Sequence, residues 1–157
     1  MLDNYPKFLK KAYLLARENN YDYEMNFHHC AILVVNNKFV GVGFNHTNPT
    51  RLTGHYAHKC RFERHYPIFQ HAEIDVIQRY RNKLDLTGGR IYVIRRIFNP
   101  ELGHVGNSRP CKLCQACMKD HKISKAIYSL KDDEYGIMNI SKLNSEYSDK
   151  FIRELND

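Results

Sequence analysis

His71-Ala72-Glu73 is followed, further along the chain, by Pro110-Cys111-Lys112-Leu113-Cys114. Together the two motifs offer one imidazole and two thiols, which are common zinc ligands, and a carboxylate that need not be a ligand. A catalytic zinc site has three protein ligands and leaves its fourth position to water. The motifs therefore predict a catalytic zinc site with His71, Cys111 and Cys114 as ligands and with Glu73 beside the metal.

The spacing within each motif predicts the local structure around this metal. Cys111 and Cys114 are three residues apart, so they share one face of the first turn of a helix that begins after Pro110. His71 and Glu73 are two residues apart and point to different sides of a helix. Both can serve one site only if the site lies off the N-terminal end of that helix. We therefore expect two helix N-termini to face one zinc, where the helix dipoles favour thiolates.

The composition is that of one globular domain. The chain has 157 residues, of which 43% are hydrophobic and 26% are charged, and we expect a single domain over residues 1–157. It contains no apolar run of membrane-spanning length, and its first residues lack the plan of a signal peptide. Five cysteines, three of them between residues 111 and 117, favour metal binding in the cytoplasm over a disulfide framework. The net charge of +7 favours anionic partners such as nucleotides or nucleic acid.

The pattern of apolar residues predicts alternating helices and strands. Helices are predicted over residues 5–19, 71–81, 111–121 and 143–155, and strands over 30–35, 38–44, 90–97, 126–130 and 136–140. Asn36-Asn37 predicts a two-residue hairpin turn. Gly41 and Gly43 predict a close backbone approach or a bulge. Residues 45–70 and 98–109 are predicted to be loops, and a loop as long as the first is more often functional than idle.

With its two motifs placed in this order of elements, the chain resembles the cytidine deaminase superfamily, whose signature combines His-x-Glu with Pro-Cys-x-x-Cys. The resemblance extends from the first predicted strand to the fourth. It implies an α/β protein with the three-layer α/β/α fold of that superfamily, built on a five-stranded mixed sheet. It also implies that Zn²⁺ is bound by His71, Cys111 and Cys114. By the same resemblance, Glu73 shuttles protons and Asn45 contacts the sugar of the substrate.

The implied reaction is hydrolytic deamination of a cytosine nucleoside or nucleotide to the uracil form, with release of ammonia. Zinc lowers the pKa of a bound water to about 7, which makes hydroxide available at neutral pH. Glu73 would carry a proton to the ring nitrogen and then to the leaving amine. The alternative is a deaminase of cytosine in single-stranded DNA or RNA, with the basic residues along the backbone. A third class is a non-catalytic zinc module, whose site would be closed by four protein ligands. The motifs indicate the deamination reaction but do not identify the base, so adenine or guanine are also possible substrates.

The predicted connection over residues 131–135 bears on the branch of the superfamily. It is too short for a helix, so the last strand should run antiparallel to its neighbour. That arrangement resembles nucleoside-type cytidine deaminases and some polynucleotide-acting toxins, whereas deoxycytidylate-type relatives insert a helix there. Asn107-Ser108-Arg109 stands where free-nucleotide enzymes often have glutamate. The compact chain with a long basic loop resembles phage or viral deaminases, and the resemblance implies a homo-oligomer.

Further substrate contacts are predicted from position and chemistry. Phe27, Phe44 and Tyr66 could stack on a base, although Phe44 ends a strand and suits the core equally well. Ala72 is small enough for its backbone to approach a ligand. A basic group could hold phosphate or could be a solvated loop. Its members are Arg51, Lys59, Arg61, Arg64 and Arg109.

Other cysteines and histidines have two interpretations. Cys111, Cys114 and Cys117 have a spacing typical of iron–sulfur ligands, but no fourth cysteine follows where such a cluster needs one. Cys117 is therefore predicted to lie in the core, and so is Cys30. A second, structural zinc is the less favoured interpretation of the remaining histidine-rich residues, which are otherwise ordinary surface groups. These residues are His28, His29, His46, His55, His58, Cys60, His65 and His104.

Overall fold

The computed structural model describes residues 2–22, 25, 27–59, 69–98 and 104–143. The helices within these residues are α1 (Lys7–Glu18), α2 (Arg51–Lys59), α3 (Ala72–Tyr80) and α4 (Lys112–Asp120). The strands are β1 (His28–Val35), β2 (Lys38–Phe44), β3 (Arg90–Arg96), β4 (Val105–Gly106), β5 (Lys125–Lys131) and β6 (Glu134–Asn139). A short 3₁₀ turn follows β6. None of the helices in the described ranges has the length and apolar character needed to cross a membrane.

The strands form one mixed sheet with the order β2-β1-β3-β5-β6, and β4 pairs with β3 beside this path. β3 and β5 run parallel, and the other pairs are antiparallel. A tight turn joins β5 to β6, and Asp133 has a φ of 61° there. The predictions of a five-stranded mixed sheet and an antiparallel last strand are confirmed. The two-residue β4 is an addition to the prediction.

Helices cover both faces of the sheet. Ala31 and Leu33 of β1 belong to the core cluster that includes residues of α3 and α4, and we call this side the α3/α4 face. Cys30 and Ile32 belong to the cluster that includes residues of α1, and we call this side the α1 face. A central strand with two covered faces must be apolar at successive positions, which explains the continuous apolar run in β1. The predicted three-layer arrangement is confirmed.

The hairpin between β1 and β2 closes through two asparagines. Asn36 has a φ of 51° and Asn37 has a φ of 61°. Positive φ at both central residues is typical of the type I′ turn, whose twist matches that of the two strands. Asparagine tolerates this conformation better than most residues that carry a Cβ atom. The predicted two-residue turn is confirmed.

Gly43 lets β2 approach the first turn of α3. A Cβ atom at Gly43 would lie 2.4 Å from the carbonyl oxygen of Ala72 and 2.5 Å from the backbone nitrogen of Val76. Both neighbours are backbone atoms, so relief would require the helix itself to shift. The predicted close approach is confirmed, and it joins β2 directly to the residues that follow His71.

Replacing Gly43 with alanine is therefore expected to destabilise the fold by about 1–3 kcal/mol, the usual cost of overpacking a core. The displacement of α3 should also reduce activity. Gly54→Ala is the matched control, because no atom of the described residues lies within 4 Å of a Cβ atom at Gly54 in α2. That control should be neutral or gain up to about 1 kcal/mol through helix propensity. Equal urea midpoints for Gly43→Ala and the wild type would contradict the prediction.

The prediction of an uninterrupted loop over residues 45–70 is wrong, because α2 forms within it. Leu52 and Tyr56 lie one helical turn apart, and both are buried. The side-chain oxygen of Gln70 accepts hydrogen bonds from the backbone of Thr50, at 2.9 Å, and from the hydroxyl of Thr53. Since α2 is short and rich in polar residues, its apolar stripe is too brief for periodicity to reveal it.

One further difference concerns a shorter segment. The predicted loop over 98–109 contains β4, which is defined only by its pairing with β3 and so has no local signal. The predicted helix over 143–155 lies, beyond Leu143, outside the described residues.

Candidate metal centre and active site

The first residue of each motif stands at the start of a helix. His71 precedes α3 and has an extended backbone, with φ −84° and ψ 146°. Cys111 precedes α4 in a similar conformation, with φ −69° and ψ 168°. Neither side chain makes a capping hydrogen bond, so both point away from their own helices' free N–H groups. Cys114 follows in the first turn of α4 and is fully buried. The predicted arrangement, in which two helix N-termini face one site, is what the chain forms.

The three predicted ligands converge. Nδ1 of His71 lies 3.4 Å from Sγ of Cys111 and 3.3 Å from Sγ of Cys114. All three donor atoms lie within 4.8 Å of one another. Tetrahedral zinc with ordinary Zn–S and Zn–N bonds separates its ligand atoms by about 3.5–3.8 Å. The two distances from His71 are within a few tenths of an ångström of these values, so the donor set fits one zinc ion.

Electrostatics favour a thiolate in this cluster. Hydrogen bonds from the Cys114 thiol and from His71 hold the pKa of Cys111 well below its usual range, although burial opposes them. Burial alone would lower the pKa of His71, but its hydrogen bond to Cys111 and the charge of that thiolate raise it to about 9. Burial raises the pKa of Cys114. The three groups thus share protons that a divalent cation would displace, which is the usual coupling between metal binding and proton release.

Glu73 lies in the first turn of α3 and is buried, with 4% of its surface exposed. Burial raises its pKa to about 6, and the charge of His71 opposes that increase. Within the described residues, the group of side chains that could hold a metal does not include Glu73. A buried carboxylate near the ligands with a pKa close to neutrality has the properties of a general acid–base.

Two of the predicted substrate contacts, Asn45 and Ala72, are buried. Asn45 is buried and accepts a hydrogen bond from the backbone N–H of His29 at 2.8 Å. Its side chain also donates to the carbonyl of Phe27 at 2.8 Å, so it holds the start of β1. Ala72 is fully buried with its carbonyl oxygen towards Gly43. The sugar contact of Asn45 and the ligand contact of Ala72 stay predictions.

Phe44 and Arg109 are the other two predicted substrate contacts. The ring of Phe44 packs against the core cluster on the α1 face. It also meets the ring of Tyr21 edge-on at 5.8 Å, which favours the core interpretation over base stacking. Arg109 is exposed, and its backbone N–H donates to the side chain of Asn107 at 2.8 Å. It lies two residues before Cys111, and its phosphate contact stays a prediction.

Several of the remaining cysteines and histidines lie in the core or pair with carboxylates. Cys117 and Cys30 are fully buried in the two core clusters, as predicted. His46 pairs with Asp75 at 3.2 Å, and His104 pairs with Asp132 at 3.1 Å. Within the described part of the chain, the only group suited to a metal is His71 with the two ligand cysteines. Cys60, Arg61, Arg64, His65 and Tyr66, which the sequence had proposed for a second zinc, phosphate or stacking, lie outside the described residues.

Sequence reasoning missed a buried carboxylate that links β2 to α3. Asp75 accepts hydrogen bonds from the backbone N–H of Phe44 at 3.0 Å and from Nε of Arg79 at 3.2 Å. With His46 as a third partner, Asp75 fixes the end of β2 beside the helix that carries Glu73. The sequence did contain a signal for this role: Asp75 is an acidic residue two positions after Glu73, among the apolar residues of a short helix.

The chain is similar in sequence to one protein family and in fold to several solved structures. Residues 3–130 match the family model described as the cytidine and deoxycytidylate deaminase zinc-binding region. A solved cytidine deaminase from Burkholderia pseudomallei is 20% identical, and the match covers 88% of this chain and 95% of that one, with a TM-score of 0.57. A dCMP deaminase from the cyanophage S-TIM5, solved with dCMP and dUMP, is 16% identical over 77% of this chain and 76% of that one, with a TM-score of 0.49. No curated protein sequence matches significantly. The Burkholderia protein and this chain share a fold.

Proposed function

The chain belongs to the cytidine and deoxycytidylate deaminase family, and from that premise we propose that it hydrolyses a cytosine nucleoside or nucleotide to the uracil form and ammonia. One observation carries the proposal. His71, Cys111 and Cys114 converge on one point, while the buried carboxylate of Glu73 stands two residues from the imidazole ligand. Three ligands leave one position of a tetrahedral metal open to solvent or substrate, as catalytic zinc requires.

Each residue has a defined task in this proposal. His71, Cys111 and Cys114 would hold zinc, which when bound acts as a Lewis acid that makes water a nucleophile at neutral pH. Glu73 accepts a proton from the attacking water. It delivers this proton to the ring nitrogen as the water oxygen bonds to the carbon that carries the amine. It then takes the second proton from the newly added hydroxyl and passes it to the exocyclic amine, which leaves as ammonia when the C–N bond breaks. A pKa of about 6 suits both directions of transfer, because the carboxyl can gain and lose a proton near neutral pH.

A substrate panel tests the proposal. Cytidine, deoxycytidine, their mono- and triphosphates, and a cytosine-bearing single strand are each incubated with the zinc-loaded protein. Ammonia and the uracil product are then measured. We expect turnover of at least one free nucleoside or nucleotide. Turnover of the single strand alone would replace the proposal with the polynucleotide alternative, and no turnover of any substrate would overturn it.

A further inference from the structure

Arg95 of β3 occupies a position that the proposed chemistry does not use. In the antiparallel register of β1 and β3, Arg95 is the direct partner of His29, and Val93 is the partner of Ala31. Ala31 and Val93 both belong to the core cluster on the α3/α4 face. Because side chains alternate along a strand, His29 and Arg95 lie on this same face. They are two residues nearer the end of their strands than Ala31 and Val93.

The metal centre lies at this same end of the strands. Asn45, which follows β2, binds the backbone of His29, so the ends of β2 and β3 and the start of β1 lie together. Gly43, near the end of β2, packs against the backbone of Ala72, which directly follows the proposed zinc ligand His71. Arg95 therefore lies at the end of the sheet that faces the metal centre.

Arg95 has no counter-charge among the residues that the structure describes. It is partly buried, it makes no ion pair with any residue that the structure describes, and its Nε is buried without a hydrogen-bond partner. Two other arginines of the described residues have side-chain partners. Arg79 pairs with Asp75, and Arg90 donates to the side chain of Asn37 at 2.8 Å. Keeping a charged group from water without a partner is costly, so a partly buried unpaired guanidinium indicates an anionic ligand.

Phe27 contacts the guanidinium of Arg95 through its aromatic ring, and this contact does not occupy the N–H donors of the arginine. The Cζ atom of Arg95 lies 4.1 Å from the centroid of the Phe27 ring, a cation–π contact. Asn45 ties the carbonyl of Phe27 to the end of β2, so the backbone beneath this contact is also held. Guanidinium N–H groups lie in the plane of the group and can bind two oxygens of a phosphate at once. The side chain is therefore fixed in place with donors left for a ligand.

We propose that Arg95 binds the phosphate of a free cytosine nucleotide, so that the nucleoside monophosphate is preferred over the nucleoside. This inference rests on the proposed deaminase function and adds the substrate class to it. Arg95 acts as a specificity-determining residue, because the base and its amine are the reacting groups. The chain's net charge of +7 also favours an anionic substrate.

The test compares Arg95→Gln with the wild type on cytidine, deoxycytidine and their monophosphates. Loss of a charge-assisted, two-pronged contact should reduce kcat/KM for the preferred monophosphate by about 10- to 100-fold. The same substitution should change kcat/KM for cytidine and deoxycytidine by less than about threefold. Arg95→Lys should retain part of the preference, since it keeps the charge and loses the fork. Arg96→Gln is the matched control, because its side chain lies on the α1 face and should leave both values unchanged.

Binding provides a readout that does not depend on turnover. Calorimetry with Glu73→Gln protein measures the affinity for cytidine monophosphate, cytidine and inorganic phosphate, with and without Arg95→Gln. We expect the arginine change to weaken the monophosphate and inorganic phosphate and to spare cytidine. Equal losses for nucleoside and nucleotide, no loss for either, or an effect confined to the single strand would overturn the inference. A wild-type protein that binds the monophosphate through Arg95 but releases no ammonia would instead overturn the proposed function.

Discussion

Replacing Glu73 with glutamine is expected to lower kcat by about 10²- to 10⁴-fold while one zinc per chain is retained. General acid–base catalysis contributes a factor of this size. Glutamine has nearly the same shape and fills the buried position in the first turn of α3, but it cannot accept and return a proton. Because Glu73 is not among the residues that cluster as metal donors, the metal centre should be unaffected. Ammonia release and metal analysis on the same preparation measure both quantities.

Glu18→Gln is the control for this substitution. Glu18 is an exposed acid at the end of α1, on the opposite side of the sheet from the metal centre. Its removal changes the net charge by the same amount and should leave kcat unchanged. Full turnover by Glu73→Gln protein with a normal zinc content would exclude Glu73 as the proton carrier. It would also revive the interpretation of the zinc as purely structural.

Replacing Cys114 with alanine is expected to abolish both zinc binding and activity. Cys114 is fully buried, and its Sγ atom lies 3.3 Å from Nδ1 of His71. Two remaining ligands do not make a stable zinc site, so zinc should fall well below one per chain and turnover by at least about 10³-fold. The melting temperature should also fall, because metal binding stabilises the folded state. Chelation of the wild type should have the same effects, and added zinc should reverse them.

Cys117→Ala is a closely matched control. Cys117 lies one turn further along α4, and it is equally buried, but it does not belong to the metal cluster. Its replacement leaves a small cavity that costs about 1–2 kcal/mol, while zinc and turnover should persist. Normal zinc content in Cys114→Ala protein, or loss of zinc in Cys117→Ala protein, would show that the ligands have been misassigned.

Local patterns predicted more of the metal centre than of the substrate site. The three-residue spacing of Cys111 and Cys114 and the two-residue spacing of His71 and Glu73 each depend only on helix geometry. Both motifs therefore indicate helix N-termini without any information about long-range contacts. The substrate contacts depend on which face of the sheet a side chain occupies. Phe44 was proposed to stack on a base, yet its ring packs on the α1 face.

The sequence alone predicted the metal donors and the acid–base residue, and it also predicted the hairpin at Asn36 and the antiparallel last strand. Each of these follows from residue spacing or from a connection too short to hold a helix. Only the tertiary structure decided that Arg95 lies beside His29 on the face that carries the metal centre. That juxtaposition depends on the register between β1 and β3, in which a slip of one residue would move every side chain to the other face. Register is set by long-range pairing and by packing of both faces at once, so no local stretch of residues contains it.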